Sequence, residues 1–235
     1  MAGNILEFNQ VTSNQKEKFG LKDISFALPG GYIMGLMGAN GAGKTTLFEY
    51  IMSDEKRYSG VIRLNGTDIS ENRRVIKNKI AYVSEKKVFF ERMTGIRNAE
   101  VLANLYEEFD LDLFRKTMEK MGVPDIHYQK LSRGEKIKFQ LAFAMAHRPI
   151  LYLLDEVTAG MDPVYRTEFF QILQEIIWDG KASVIITSQI ENEMEKKVDY
   201  LGVIANGRLV DFGEAIDVVP RIRKETVKLK NLSGV

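Results

Sequence analysis

Short apolar runs at one end of the chain alternate with polar positions, and those in the middle do not. Ile5-Leu6-Glu7-Phe8 and Ile24-Ser25-Phe26-Ala27-Leu28 read as short strands separated by a polar stretch from Thr12 to Lys18, and they are expected to pair as an antiparallel edge. Val61-Ile62-Arg63-Leu64 runs into Asn65-Gly66, a tight-turn pair, and is expected to join the same sheet. Tyr32-Ile33-Met34-Gly35-Leu36-Met37, Ile80-Ala81-Tyr82-Val83-Ser84, Ile150-Leu151-Tyr152-Leu153-Leu154, Val184-Ile185-Ile186-Thr187 and Leu201-Gly202-Val203-Ile204 are apolar nearly throughout, the pattern of strands buried on both faces. Between Thr94, read as an N-cap, and His147 the period becomes helical. Ile96, Val101, Leu102 and Leu105 mark one apolar face, Leu113, Phe114, Met118 and Met121 a second, and Ile137, Leu141, Ala144 and Met145 a third, with a break at Gly122-Val123-Pro124. A further helix is expected over residues 190–198. Strands alternating with helices predict an α/β fold whose mainly parallel sheet is covered on both faces.

The 235 residues suffice for one sizeable core, and residues 1–235 are read as a single domain in which about 88–148 form an inserted helical part. With 33 basic and 32 acidic side chains, the formal charge is +1 and gives no support for a broad grip on nucleic acid. Cysteine is absent, so disulfides and thiolate zinc sites are excluded. No apolar run reaches the ~20 residues that a membrane span needs, and Met1-Ala2-Gly3-Asn4 does not open a secretory signal. The expectation from sequence is therefore a soluble intracellular protein. The tail from Arg221 to Lys230 is basic, which suits a solvated surface better than a membrane or partner patch.

The stretch Gly38-Ala39-Asn40-Gly41-Ala42-Gly43-Lys44-Thr45-Thr46 matches the phosphate-cradling pattern G-x-x-x-x-G-K-[ST] at every fixed position. Its glycines let the backbone wrap a phosphate with N–H groups inward, Lys44 offers a point charge to the β- and γ-phosphates, and the Thr45 hydroxyl can ligate Mg²⁺. The flanks supply the strand–loop–helix context: an apolar run precedes the loop, and Thr46-Leu47-Phe48-Glu49-Tyr50-Ile51-Met52 follows as a helix aimed at the phosphates. The strand ending at Leu154 runs into Asp155-Glu156, where Mg²⁺ coordination and water activation need carboxylates.

Together with these motifs, Leu131-Ser132-Arg133-Gly134-Glu135 resembles the L-S-G-G-Q signature of the ATP-binding-cassette family, with Arg133 and Glu135 as variations, and Ala159-Gly160-Met161-Asp162 resembles the loop that follows the family's catalytic glutamate. The resemblance spans nearly the whole chain. It implies a P-loop NTPase core with an N-terminal antiparallel β subdomain and an inserted α-helical subdomain. It also implies ATP and Mg²⁺ as cofactors, Glu156 and Lys44 as catalytic residues, and Asp155 and Thr45 at the metal. Ser132, Gly134 and Asp162 of one chain would complete the ATP site of a second, so that two chains close head-to-tail on ATP and reopen after hydrolysis. The implied setting is an ATPase subunit on the inner face of a membrane, attached to a separate transmembrane permease chain, most like bacterial exporters of peptides, antibiotics or lipids. A stand-alone assembly ATPase and a slow ATP-binding module are the other readings, and a homodimer and a heterodimer fit the sequence equally.

Three positions depart from the family pattern. Glu85 stands where a glutamine at the metal is usual, and Gln189 stands where the pattern has a histidine facing the γ-phosphate, a side chain that can donate a hydrogen bond but not carry a charge. Phe89-Phe90 lies where such subunits meet the membrane chain, although burial in the helical part accounts for the pair nearly as well. The aromatic that stacks on adenine falls near Gln15, with Phe19 the nearby ring that can compensate. Base stacking on an aromatic contributes ~1–3 kcal/mol in single-strand binders. Phe19→Ala is accordingly expected to weaken ATP binding by at least about 5-fold in an equilibrium titration, and an unchanged affinity would remove Phe19 from the site.

Overall fold

The computed structural model describes residues 3–14, 20–85, 89–188 and 196–233, with side chains through residue 224. Gln15, Phe19, Gln189 and most of the helix expected over 190–198 lie outside the described residues. In chain order the strands are β1 (Asn4–Ser13), β2 (Ile24–Pro29), β3 (Ile33–Met37), β4 (Tyr58–Leu64), β5 (Thr67–Asp68), β6 (Ile80–Ser84), β7 (Leu151–Asp155), β8 (Ser183–Ser188), β9 (Tyr200–Ala205) and β10 (Arg208–Glu214). Among the described residues the α-helices are α1 (Lys44–Met52), α2 (Arg73–Asn78), α3 (Gly95–Leu102), α4 (Leu111–Lys120), α5 (Arg133–Ala146), α6 (Pro163–Ile177) and α7 (Ala215–Ser233).

The strands form two sheets. The smaller is antiparallel in the order β2-β1-β4-β5, with Phe8 of β1 opposite Phe26 on one side and Ile62 on the other. Strand β1 buries Leu6, Phe8 and Val11 against the core, and Phe8 stacks on Phe26 with ring centroids 4.8 Å apart. The expected β1–β2–β4 pairing is therefore present, and Asn65 and Gly66 turn the chain at φ of 48° and 79°.

The larger sheet runs β10-β9-β3-β8-β7-β6, parallel except for the β10 hairpin edge. This order brings the C-terminal ends of β6, β7, β8 and β3 to one rim: Ser84 faces Asp155, and Met37 faces Ser188. In open parallel sheets that rim is where ligands bind. The strands are buried on both faces, which is why their sequences show no alternation.

Helices α3, α4 and α5 lie between β6 and β7 in sequence and share an aromatic core. Phe139 is fully buried and meets Phe89 at 4.7 Å, Tyr128 at 5.2 Å and Phe114 at 5.7 Å. Phe89 belongs to this core, whereas its neighbour Phe90 is 48% exposed, so the pair divides between packing and surface. Leu105 departs from the expected apolar face. The helix ends at Leu102, and Leu105 lies in a one-turn continuation with 71% of its surface exposed. Thr94 does cap α3, accepting from the Arg97 amide at 3.3 Å. Among the described residues no helix is long and apolar enough to cross a membrane.

His147 closes α5 with its ring stacked on Tyr106 at 4.1 Å and neither ring nitrogen hydrogen-bonded. Burial pushes its pKa down to about 4, only partly offset by the nearby carbonyls of Phe143 and Ile80. Because the unfolded chain takes up the proton first, near 6.5, the contribution of neutral His147 is complete above pH 6.5. It is lost as pH falls toward 4, by up to about 3 kcal/mol. Urea unfolding between pH 7 and 4.5 is expected to show a smaller loss of stability in His147→Phe than in the parent; equal losses would exclude this origin.

Candidate functional site

The loop from Gly38 to Gly43 leaves the end of β3 and enters α1 through Gly43, whose φ of 117° is a left-handed conformation that glycine adopts freely. Gly38 is required for a different reason. A Cβ there would sit 2.3 Å from the Ile204 carbonyl oxygen of β9, so this glycine serves packing of the loop on the neighbouring strand. Ala39, Asn40 and Gly41 are exposed on the open side of the loop, and Ala42 and Gly43 are buried beneath it. Lys44 is only 4% exposed and spans the loop, its Nζ donating to the carbonyls of Gly38 at 2.7 Å and Ala39 at 3.1 Å. Thr45 and Thr46 follow in the first turn of α1, both half-buried.

Asp155 at the end of β7 is buried, and its carboxylate accepts from hydroxyls on three other segments. Thr187 of β8 donates at 2.8 Å, Tyr82 of β6 at 3.0 Å, and Thr45 of α1 at 3.2 and 3.4 Å to its two oxygens. Burial, then the nearby Asp155 charge, pushes the Tyr82 hydroxyl up to about 12, so it stays a donor through neutral pH. The Thr45 hydroxyl beside the Asp155 carboxylate is a hard oxygen pair of the kind Mg²⁺ takes, with phosphate and water as its other ligands. Glu156 follows at φ 53°, a conformation uncommon for a side chain with a Cβ. Its amide donates to Thr187 Oγ1 at 2.9 Å, and its carboxylate lies 3.6 Å from Lys44 Nζ. Thus two consecutive pairs, Lys44-Thr45 and Asp155-Glu156, far from each other in sequence, come together at one rim.

The remaining candidate residues lie elsewhere. Ser132, Gly134 and Asp162 line a separate cleft of about 240 Å³ that contains no residue of the 38–46 loop. Ser132 caps α5 in a reciprocal box: its hydroxyl accepts from the Glu135 amide at 3.3 Å, and Glu135 accepts from the Ser132 amide at 2.7 Å. The Ser132 hydroxyl beside the Glu135 carboxyl, and after it the Ser132 amide, hold that carboxyl below its ordinary range. Asp162 caps α6, accepting from the amides of Val164 and Tyr165 at 3.1 and 2.9 Å. The Tyr165 hydroxyl donates to the Gly134 carbonyl at 2.7 Å, and its ring would lie 2.9 Å from any Cβ at position 134. Glu85, half-exposed just past β6, pairs with the Arg133 guanidinium.

Tyr82, Thr187 and Tyr165 were not singled out by sequence. For Tyr82 and Thr187 the available signal was a hydroxyl inside an apolar strand, since a buried polar group needs a partner; which partner it finds depends on strand order.

Residues 21–159 match the family model described as ABC transporter. The chain is 30% identical over 232 residues to the bacitracin transport ATP-binding protein BcrA of Enterococcus faecalis, covering 94% of this chain and 74% of that one. It is 28% identical to the ABC transporter ATP-binding protein YtrB of Bacillus subtilis, covering 96% and 76%. Among solved structures it is similar to cbiO1 from Clostridium perfringens, part of the cbiONQ transporter complex, with a TM-score of 0.81 at 23% identity over 98% of this chain and 95% of that one, a likeness in fold. The chain therefore belongs to the ABC transporter family, as an ATP-binding and ATP-hydrolysing subunit.

Proposed function

We propose that this chain powers an exporter in which two ATPase subunits close head-to-tail on ATP beneath a separate transmembrane permease. On this reading residues 1–235 form one ATPase domain, residues 88–148 are its helical lobe, and the chain sits on the inner face of the membrane through the permease. The supporting observation is the separation of the two half-sites: the 38–46 loop with Asp155 and Glu156 occupies one rim, and Ser132, Gly134 and Asp162 line a cleft without it. A second chain placed head-to-tail, identical or not, would bring one half-site onto the other. A helix start such as that of α5 suits a phosphate. A transport role is supported by the relative named for bacitracin transport, and a permease surface by the exposed Phe90 and Leu105.

In this mechanism the amides of residues 38–46 and Lys44 bind the ATP phosphates, and Lys44 carries the charge that spreads over the γ-phosphoryl oxygens. Thr45 and Asp155 would hold Mg²⁺, which would neutralise charge on the β- and γ-phosphates. Glu156, fixed by Thr187 at its amide, orients and polarises the attacking water. Gln189 would donate a hydrogen bond to the γ-phosphate. Glu85, the other candidate at the metal, is paired with Arg133. Closure follows from the higher affinity of ATP for the closed pair, and hydrolysis reverses it.

Glu156→Gln is expected to retain ATP binding and lose at least about 100-fold in turnover; near-normal hydrolysis would sink the assignment of the base. Purified with Mg·ATP from detergent-solubilised membranes, the tagged variant is expected to bring down a multi-span membrane protein identifiable by mass spectrometry, whereas recovery of soluble partners alone would favour an assembly ATPase. Tyr82→Phe removes one donor to Asp155 without changing shape, and kcat is expected to fall about 10-fold or more, the equivalent of one hydrogen bond to a charged group. An unchanged kcat would mean that Thr187 and Thr45 suffice to hold the carboxylate.

A further inference from the structure

Glu85, which departs from the family pattern, and Arg133, a variation within the signature stretch, touch each other. Arg133, the first residue of α5, forms its ion pair with Glu85, the residue just past β6. On its other side the Arg133 guanidinium lies against Gly160, 2.8 Å from where a Cβ of that residue would be, in the turn that follows Glu156. One side chain thus meets the end of β6, the start of α5 and the turn beyond Glu156.

A second contact joins the same elements. Two helical turns along α5, the buried Gln140 side chain accepts from the Ser84 amide at 3.1 Å and donates to the Ser84 carbonyl at 2.9 Å. Positions 133 and 140 share one helix face, and Ser84 and Glu85 are consecutive. The helix is therefore fastened to the end of β6 at a buried point and held, seven residues nearer its N-terminus, by an exposed charge pair. Ser84 also faces Asp155 across the β6–β7 ladder, so the fastening point belongs to the nucleotide rim.

The two contacts differ in kind. Gln140 satisfies two buried backbone groups, and its loss would disturb folding. Glu85 and Arg133 are each about half exposed, and pairs of that kind add little to stability. Their effect is on direction: a cation at the first position of a helix is opposed by the helix dipole, and Glu85 both offsets that charge and fixes where the start of α5 points.

We propose that Glu85 and Arg133 are a positioning pair that sets the angle of α5 about the Gln140–Ser84 contact, and with it the presentation of Ser132 and Gly134 to the nucleotide of a second chain. This rests on the head-to-tail reading given above. The pair acts on closure and turnover, and leaves binding of nucleotide to the chain's own 38–46 loop untouched.

The test uses Glu85→Arg, Arg133→Glu and the swapped double variant. In the Glu156→Gln background, the ATP concentration that drives dimerisation is read by sedimentation; in the active background, kcat is read beside the affinity of the monomer for ADP. Each single variant is expected to need at least about 10-fold more ATP to dimerise and to lose a similar factor in kcat, with ADP affinity within about 2-fold of the parent. The swap is expected to recover both to within about 3-fold. A swap no better than the single variants would overturn the pair and leave Glu85 acting on the metal instead; single variants indistinguishable from the parent would overturn it as well. If the Glu156→Gln parent stays monomeric in ATP, the head-to-tail reading fails, and recovery of kcat by the swap decides the pair by itself.

Discussion

The Asp155 carboxylate joins four chain segments at the rim of the larger sheet. Thr187, Tyr82 and Thr45 reach it from β8, β6 and α1, and each hydroxyl donates to an acceptor that is itself buried at the end of β7. A buried carboxylate is costly unless it is hydrogen-bonded, so the strands beside it must end where their hydroxyls can serve it. That demand fixes the relative register of β6, β7 and β8, and through Thr45 it also ties down the start of α1. Lys44 and Glu156, adjacent in sequence to these anchors, then meet at 3.6 Å as a result of the same registration.

What was legible in the sequence was local. The glycine loop, the apolar strand before it and the acidic pair after β7 each write their geometry within a few residues, and all are found at one rim. The antiparallel pairing of β1 with β2 and β4 was equally readable, because alternation specifies a face. Tyr82 and Thr187 stayed hidden because their partner is set by the order β8-β7-β6, which no short window of sequence contains. Tyr165 was hidden for a similar reason, since its ring meets Gly134 across two helices. Phe89 and Phe90 show the limit of composition: adjacent rings, one in the aromatic core and one on the surface, separated by a single residue's change in direction.

The helical layer depends on a different currency of interaction. Phe139, Phe114, Phe89 and Phe143 pack edge to face, with Tyr106 and His147 extending the cluster to the end of α5. Ion pairs from Lys138 to Glu168 and from Lys120 to Glu175 join this layer to α6 along a surface. An aromatic interior and ion pairs at its edge allow such a layer to keep its internal shape while its orientation is adjusted.

The left-handed backbone of Glu156 carries a consequence of its own. A residue with a Cβ is disfavoured there by about 1–2 kcal/mol, so glycine would relieve the backbone while deleting the carboxylate. Selection for stability alone would therefore drift this position toward glycine. A glutamate in this conformation marks a position where durability and the proposed chemistry pull in opposite directions, and a stabilised variant of this protein would be the one to inspect first for lost work.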